Sequence, residues 1–391
     1  TLIARGAPCT RRSPAPETPR SRRVAMSASG GMALYVGLNP AVQRRVVVDG
    51  LAVGSVNRAK ESSTGIGGKG QGGYVAALRL AEQGAGPAPR LCMFLGSGRE
   101  GDMLANLLRQ RGEEADGPLW VRTAAPCRIC TTIVDLATDG ATEIVEPSGS
   151  LVAAEWDAML SGLGAAVPPD GVEALAIMGT APPGTPADMY EQIARRAAGP
   201  RTKVLMDSVV NLTGALRAAA DAVCGGSGGV VLKLNAREVL QLAGQKLVGS
   251  DSEVRAEPGE VESVCLALAE QVAAGAGSGS RGLDYVCYTD GPFPGGVVAI
   301  RSGRRWRLAQ TQPLPRKLVS PIGAGDSTSA GTLHAWCRGD GAAQDEAMVE
   351  AFRFGIAVGA ASCLTAENGV FDMADVRQIF ESIEVTEVGV A

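Results

Sequence analysis

The chain has 391 residues, 45% of them hydrophobic and 20% charged, with a net charge of −4 and only 4% aromatics. That is ample for a sizeable core in one large α/β domain or two smaller ones, and the acidic balance with few rings excludes a nucleic-acid surface, which needs a basic face and stacking aromatics. No apolar run approaches the roughly 20 residues that span a bilayer, so no membrane partner is expected.

Residues 1–31 differ in composition from the rest of the chain. They carry Arg5, Arg11, Arg12, Arg20, Arg22 and Arg23 against the single acid Glu17, with Ser, Pro and Ala between them and no hydrophobic periodicity. This is the composition of an organelle transit peptide, of a plastid first and a mitochondrion second; a disordered basic tail has the same composition, and the protein would then be cytoplasmic. Nine cysteines show no paired metal-ligand spacing, with Cys127 and Cys130 a lone C-x-x-C and His334 the only histidine. They are expected to be reduced core thiols.

The body of the chain, 32–391, opens with an apolar strand at 33–38 that ends at Asn39-Pro40, and residues after such a strand face ligands in open α/β sheets. Short alternating strands come next at 45–48 and 54–58, and a second set at 127–135 and, after Asp139-Gly140, at 142–145. Hairpins over about 44–61 and 127–146 suit a small sheet laid over the mouth of the main domain, with edges that favour pairing with a second copy. Between and beyond them strands alternate with helices: 91–96 then 102–109, 174–179 then 186–197, 203–207 then 212–219, and the strand 230–235. That alternation is the signature of a parallel sheet with helices on both faces. A Gly/Ser-rich loop at 273–282 precedes a strand at 284–288, which ends at Thr289-Asp290-Gly291. Arg304-Arg305-Trp306-Arg307 reads as a solvated edge strand, and 344–363 as a closing pair of amphipathic helices with small residues for close packing.

Two stretches carry chemistry. Gly67-Gly68-Lys69-Gly70 leads into a helix at 74–80. Far downstream, Gly323-Ala324-Gly325 can point successive N–H groups at one spot, with Asp326 beside them at the head of a helix rich in small residues. An anion hole with an adjacent carboxylate suits phosphoryl transfer, and Asp326 is the candidate base. The same string also reads as a Gly-rich turn into a helix capped by Asp326.

Together with Asn39-Pro40-Ala41, Lys233-Leu234-Asn235-Ala236-Arg237-Glu238 and Phe352-Arg353-Phe354-Gly355, these stretches resemble, in order, the signatures of the ribokinase superfamily of sugar kinases, in particular its phosphofructokinase-B (PfkB) branch, and within it 1-phosphofructokinase and tagatose-6-phosphate kinase. The resemblance covers roughly residues 33–380. It implies a three-layer αβα sandwich, a mostly parallel central sheet, and a small β-sheet lid that closes on the sugar and pairs two copies into a homodimer. It also implies ATP as donor with Mg²⁺, and a sugar or sugar phosphate as acceptor. Catalysis would rest on Asp326 and the backbone of Gly323, Ala324 and Gly325; the acceptor would meet Gln43, Gly67, Gly68, Lys69 and Gln71, with Arg128 on its phosphate. ATP would meet Lys233, Asn235, Thr289, Asp290, Gly291, Gly323 and Gly325, and Mg²⁺ would meet Asn235 and Glu238 through water. Asn235 and Glu238 equally suit a helix capping box. The chain departs from the branch at three places: Gln43 stands where an Asp is usual, Gly72 where an Asn is usual, with Gln71 the neighbouring amide that would substitute, and Ser55 where a second basic contact to the acceptor is expected, with Arg44 and Arg58 near. These departures leave three functions in view: a phosphosugar kinase, a kinase of an unphosphorylated sugar or nucleoside, and a non-catalytic protein of the same fold.

Overall fold

The computed structural model describes residues 31–84, 86–112, 117–138, 140–245, 256–274, 282–339 and 344–389. The basic leader, Asp139 of the expected lid turn and most of the expected Gly/Ser loop lie outside the described residues.

In chain order the elements are β1 (Met32–Val36), β2 (Ala41–Val48), β3 (Glu61–Gly67), α1 (Lys69–Ala81), β4 (Ala88–Ser97), α2 (Gly98–Arg109), β5 (Trp120–Pro126), β6 (Arg128–Asp135), β7 (Gly140–Val145) and α3 (Ala153–Ala166). The second half continues with β8 (Ala174–Met178), α4 (Met189–Ala197), β9 (Lys203–Asp207), α5 (Leu212–Val223), β10 (Gly229–Asn235), α6 (Ala236–Leu242) and α7 (Pro258–Ala273). Then come β11 (Tyr285–Asp290), β12 (Phe293–Ala299), β13 (Arg305–Gln310), α8 (Ala324–Arg338), α9 (Gln344–Ser362), α10 (Met373–Ser382) and β14 (Ile383–Glu387).

The central sheet runs β14-β13-β12-β11-β10-β9-β8-β1-β4-β5. From β11 to β5 every neighbour is parallel, and β12, β13 and β14 extend it antiparallel. Its inner strands carry apolar runs: Leu34 and Val36 in β1, and Val230, Val231 and Leu232 in β10, are fully buried. A strand buried on both faces requires a helix layer on each side. One layer is α1, α8, α9 and α10, packed in succession; the other contains α3, α4, α5, α7 and α6. The chain starts at β1, builds outward through β4 and β5, then returns to β8 on the other side of β1. The strand order therefore reverses between β1 and β8, which opens a crevice at their carboxyl ends.

The α8–α9 crossing is close because its residues are small. A Cβ on Gly331 would lie 3.0 Å from the Gly355 Cα, and one on Gly355 or Gly359 would overlap the hydroxyl of Thr332 or Thr328.

The second sheet, β3-β2-β6-β7, lies apart from the first. Gln43 in β2 stands opposite Gly65 of β3 and Cys130 of β6. Its strand partner for β2 is residues 61–67, whereas the sequence pointed to 54–58. Ser62, Ser63 and Thr64 are exposed, so this strand is held by backbone pairing and carries no apolar alternation to read. At the other end of the molecule β13 is covered by β14, so the arginine-rich strand is internal and Trp306 is buried. Residues 344–362 form one helix where two were expected. Cys127 and Cys130 are buried and unpaired.

Candidate active site

The crevice between β1 and β8 is bridged by side chains. Asn39, just past β1, donates to Thr180 Oγ1 just past β8 at 3.1 Å, and accepts from Ser148 Oγ at 2.9 Å. Ser148 comes after the last lid strand, so this chain of hydrogen bonds ties the lid to the sheet at the mouth. Lys69 lies across the end of β8, where its Cβ is 3.2 Å from the position a Cβ on Gly179 would take.

From there Lys69 reaches the ends of the next two strands. Its Nζ is 2.9 Å from Asp207 Oδ1 and 2.8 Å from Glu238 Oε1. Asp207, 1% exposed, also accepts from Lys233 Nζ at 3.1 Å and Ser329 Oγ at 2.7 Å. Burial alone would raise this carboxyl, but Lys233 and Lys69 outweigh it and hold Asp207 well below the usual carboxylate range. Burial likewise opposes the charge on Lys69, and Asp207 and Glu238 overcome it, so its pKa rises. A buried cation, Lys233, and a part-exposed one, Lys69, thus share one ionised carboxylate.

Lys233 also donates to the Gly325 carbonyl at 3.0 Å, which pins the head of α8 to the end of the sheet. The chain enters α8 through Gly323 at φ 82, a left-handed conformation in which the Asn368 side chain lies 3.1 Å from where a Cβ would be. Only glycine meets both demands without strain. The first N–H groups of a helix have no partner within it; Ala324 N donates outside it to the Pro321 carbonyl at 3.3 Å, and the positive end of the α8 dipole lies beside Lys233 at the end of β10. Asp326 sits in this first turn, 9% exposed. Burial first, and the charge of Asp207 second, push its carboxyl up to about 7, against the opposing pull of Lys69 and Lys233. A carboxyl with that value is poised to exchange a proton near neutral pH.

On the acceptor side, Gly68 has φ 102, and a Cβ on Gly70 would overlap the Gly37 backbone, so α1 begins against the end of β1. Gln43 is buried and donates to Thr132 Oγ1 at 2.7 Å, with Gly67 packed beside it. Gln71 is fully buried, donating to the Gly37 carbonyl at 2.7 Å and to Met93 Sδ, and its Oε1 has no partner among the described residues. It points into the packed interface behind the Gly67-Gly68 turn and does not line the recess at the mouth. That recess is bounded by Asn39, Pro40, Gly96, Arg128, Ser148 and Gly149. Arg128 Nη2 donates to the Asn39 carbonyl at 3.0 Å, and its Nε approaches the Pro40 carbonyl at 3.5 Å.

On the opposite side Asn235 caps α6 reciprocally: Glu238 N donates to Asn235 Oδ1 at 2.8 Å and Asn235 N to Glu238 Oε2 at 2.9 Å. The second oxygen of Glu238 remains for Lys69, so the capping box and the charge cluster coexist. Thr289 pairs with Asn235 across β10 and β11, Asp290 accepts from the Ala256 N–H at 3.1 Å, and Gly291 turns the chain at φ 56. The three are therefore at the sheet's carboxyl end, beside α6.

Sequence reasoning missed two groups. Ser148 is flanked by Pro147 and Gly149, and that turn after the lid was its only signal. The loop between α9 and α10 brings Asn368 to the Ile66 carbonyl at 3.3 Å and to Gly323, and Gly369 against the backbone of Gly72. It joins the two glycine-rich turns.

Residues 38–370 match the model of the pfkB family carbohydrate kinases. The chain is 29% identical over 300 residues to ATP-dependent 6-phosphofructokinase isozyme 2 of Mycobacterium tuberculosis, covering 76% of each chain. It is 28% identical over 321 residues to 1-phosphofructokinase of Rhodobacter capsulatus, covering 82% of this chain and 88% of the relative. Among solved structures it resembles phosphofructokinase-2 of Escherichia coli in complex with fructose-6-phosphate, with a TM-score of 0.66, 20% identity and coverage of 90% and 98% of the two chains. A ribokinase of Thermotoga maritima gives a TM-score of 0.60 at 17% identity, covering 90% and 99%. A doubly wound sheet with a separate four-stranded lid, and its crevice at the switch point, is the ribokinase-like fold. The chain belongs to the pfkB family and is a carbohydrate kinase.

Proposed function

We propose that this chain transfers the γ-phosphoryl group of ATP to a hydroxyl of a phosphosugar of the fructose phosphate or tagatose phosphate type, with Asp326 as general base. The observation that carries the reading is the buried Asp326 carboxyl in the first turn of α8, pushed up to about 7 by burial and by Asp207 and within the influence of Lys69 and Lys233. The names of the two curated relatives, both phosphofructokinases, support the substrate class.

In the reaction Asp326 takes the proton of the acceptor hydroxyl as its oxygen forms the new bond to phosphorus and the bond to the ADP oxygen breaks. The N–H groups of Gly323, Ala324 and Gly325 and the helix end stabilise the charge on the group in transit. Lys69, anchored by Asp207 and Glu238, holds a second positive charge beside that path. Asp207, Asn235 and Glu238 supply hard oxygen donors at the carboxyl ends of the strands, and the cation already spanning Asp207 and Glu238 marks a place where positive charge is favoured. That donor set fits Mg²⁺, which usually keeps several waters and takes its remaining ligands from substrate phosphates. When bound, the metal would neutralise the phosphate oxygens.

Arg128 is the group suited to the acceptor's own phosphate, since a guanidinium offers a planar fork to an oxyanion. The second reading, an unphosphorylated acceptor, is favoured by one observation: Arg128 already donates to two backbone carbonyls. Arg128→Ala separates the two. On the leading reading it raises KM for fructose phosphates at least about tenfold and leaves turnover of free hexoses unchanged, a loss of ~1.4 kcal/mol or more of ground-state binding. Equal kinetics on both acceptor types would remove Arg128 from the site.

The lid presents exposed apolar side chains, Ile144 and Val145 in β7 and Val53 and Val56 in the loop between β2 and β3. They support a homodimer formed through the lid. The E. coli phosphofructokinase-2 described as a tetrameric inhibited form is a neighbour of the same fold. The arginine-rich leader supports a plastid destination.

A further inference from the structure

Helix α1 carries glycine where a helix favours alanine: Gly70, Gly72 and Gly73 each cost about 1 kcal/mol of helix propensity relative to Ala. Two have a packing reason. A Cβ on Gly70 would overlap Gly37, and one on Gly73 would lie 2.7 Å from Met178 Sδ, so α1 rests directly on β1 and β8. Gly72 has a different neighbour. A Cβ there would stand 2.7 Å from Asp326 Oδ2, 3.2 Å from its Cβ and 3.4 Å from its Cγ, and these are the three nearest atoms.

The missing side chain at position 72 therefore makes room for one thing, the carboxylate of Asp326. Resting on the assignment of Asp326 as base, we infer that Gly72 is a positioning residue that sets where this base sits. The floor under the carboxylate is the α1 backbone, with no side chain between them. Glycine at this place is then part of how the chain arranges its base, as well as the loss of an amide from the acceptor side. A methyl group at 72 would meet the Asp326 side chain, its carboxylate oxygen first and its Cβ next, and not backbone. The fold can accept it by rotating the Asp326 carboxylate away and yielding by a few tenths of an ångström at its Cβ, which moves the carboxylate and leaves α1 in place.

The test is Gly72→Ala in the full chain, read by crystal structure and by steady-state kinetics with the acceptor that the wild-type protein uses. The rotated carboxylate should lower kcat about 10- to 100-fold, the order expected for an ångström-scale misplacement, while KM for ATP stays within about twofold. Thermal stability should not fall, because Ala is the better helix former. The crystal structure should have the Asp326 carboxylate turned from its wild-type place over an unmoved α1. An unmoved carboxylate with α1 displaced, or a wild-type kcat, would overturn the inference. If the wild-type protein phosphorylates no acceptor, the kinase reading fails by that result alone, and the position of Asp326 in the variant crystal still decides the role of Gly72.

Discussion

Asp207 and Asp326 are two buried carboxyls in one charge cluster, and their surroundings drive them to opposite protonation behaviour. Asp207 touches two ammonium groups and a hydroxyl and stays ionised; Asp326 has burial and a neighbouring negative charge against it and rises to about 7. A pair of acids pushed apart in this way is a common source of separate structural and proton-transfer roles. Base catalysis requires the ionised form, so kcat/KM should fall as pH drops through about 7. Lys69 is among the groups that lower the Asp326 pKa, so removing its charge must raise it further. In Lys69→Met the acidic limb of the pH–rate profile should move to higher pH as the plateau rate falls. A limb that stays in place or moves down would mean that Lys69 does not act on this carboxyl.

At the scale of elements, the α8–α9 crossing fixes the direction of the helix that carries Asp326. Gly355→Ala places a methyl group onto Thr332 Oγ1 and close to the Thr328 carbonyl, and should cost ~1–3 kcal/mol of stability, seen as a lower denaturation midpoint. Gly164→Ala in α3 meets nothing within 4 Å and should stabilise by up to ~1 kcal/mol. Equal effects of the two would contradict the close-packing account.

The same scale separates what could be read in the sequence from what could not. The buried strands β1, β8, β9 and β10 announce themselves as short apolar runs, because a strand covered on both faces leaves little room for polar residues away from its carboxyl end. The glycine turns at 67–70 and 323–325 are legible because backbone demands select a residue type. Strand β3 was not, since its exposed Ser and Thr are specified by a partner strand. Nor was the reach of Lys69: its loop belongs to the acceptor side, but a four-carbon stem carries its charge to carboxylates far along the chain, at 207 and 238. Asn368 was missed for the same reason, as its role depends on a loop that returns to Ile66 and Gly323 over nearly the whole length of the domain. Gln71 looked like an acceptor contact from its place beside the glycines, yet the turn of α1 directs it inward to the Gly37 carbonyl.

Across the whole molecule, the Ser148–Asn39–Thr180 chain joins the lid to the body, and exposed apolar residues of the lid lie on the edge strand β7, at Leu136 before it and in the loop at 51–60. A single such edge invites pairing with another copy. On the proposal of a lid-paired homodimer, Ile144→Lys should shift the protein toward monomer in sedimentation velocity while leaving its thermal midpoint nearly unchanged at high protein dilution; an oligomeric state unaltered by the substitution would contradict pairing through β7.

The central claim joins the whole molecule to one carboxylate, and the most direct test is ADP release from MgATP by the wild-type protein and by Asp326→Asn, with fructose 1-phosphate, fructose 6-phosphate and tagatose 6-phosphate as acceptors. The account predicts turnover with at least one of these phosphosugars, and its loss by about 10²-fold or more in Asp326→Asn with ATP binding retained. Near-normal turnover in Asp326→Asn would contradict the assignment of the base, and turnover confined to unphosphorylated acceptors would contradict the substrate class.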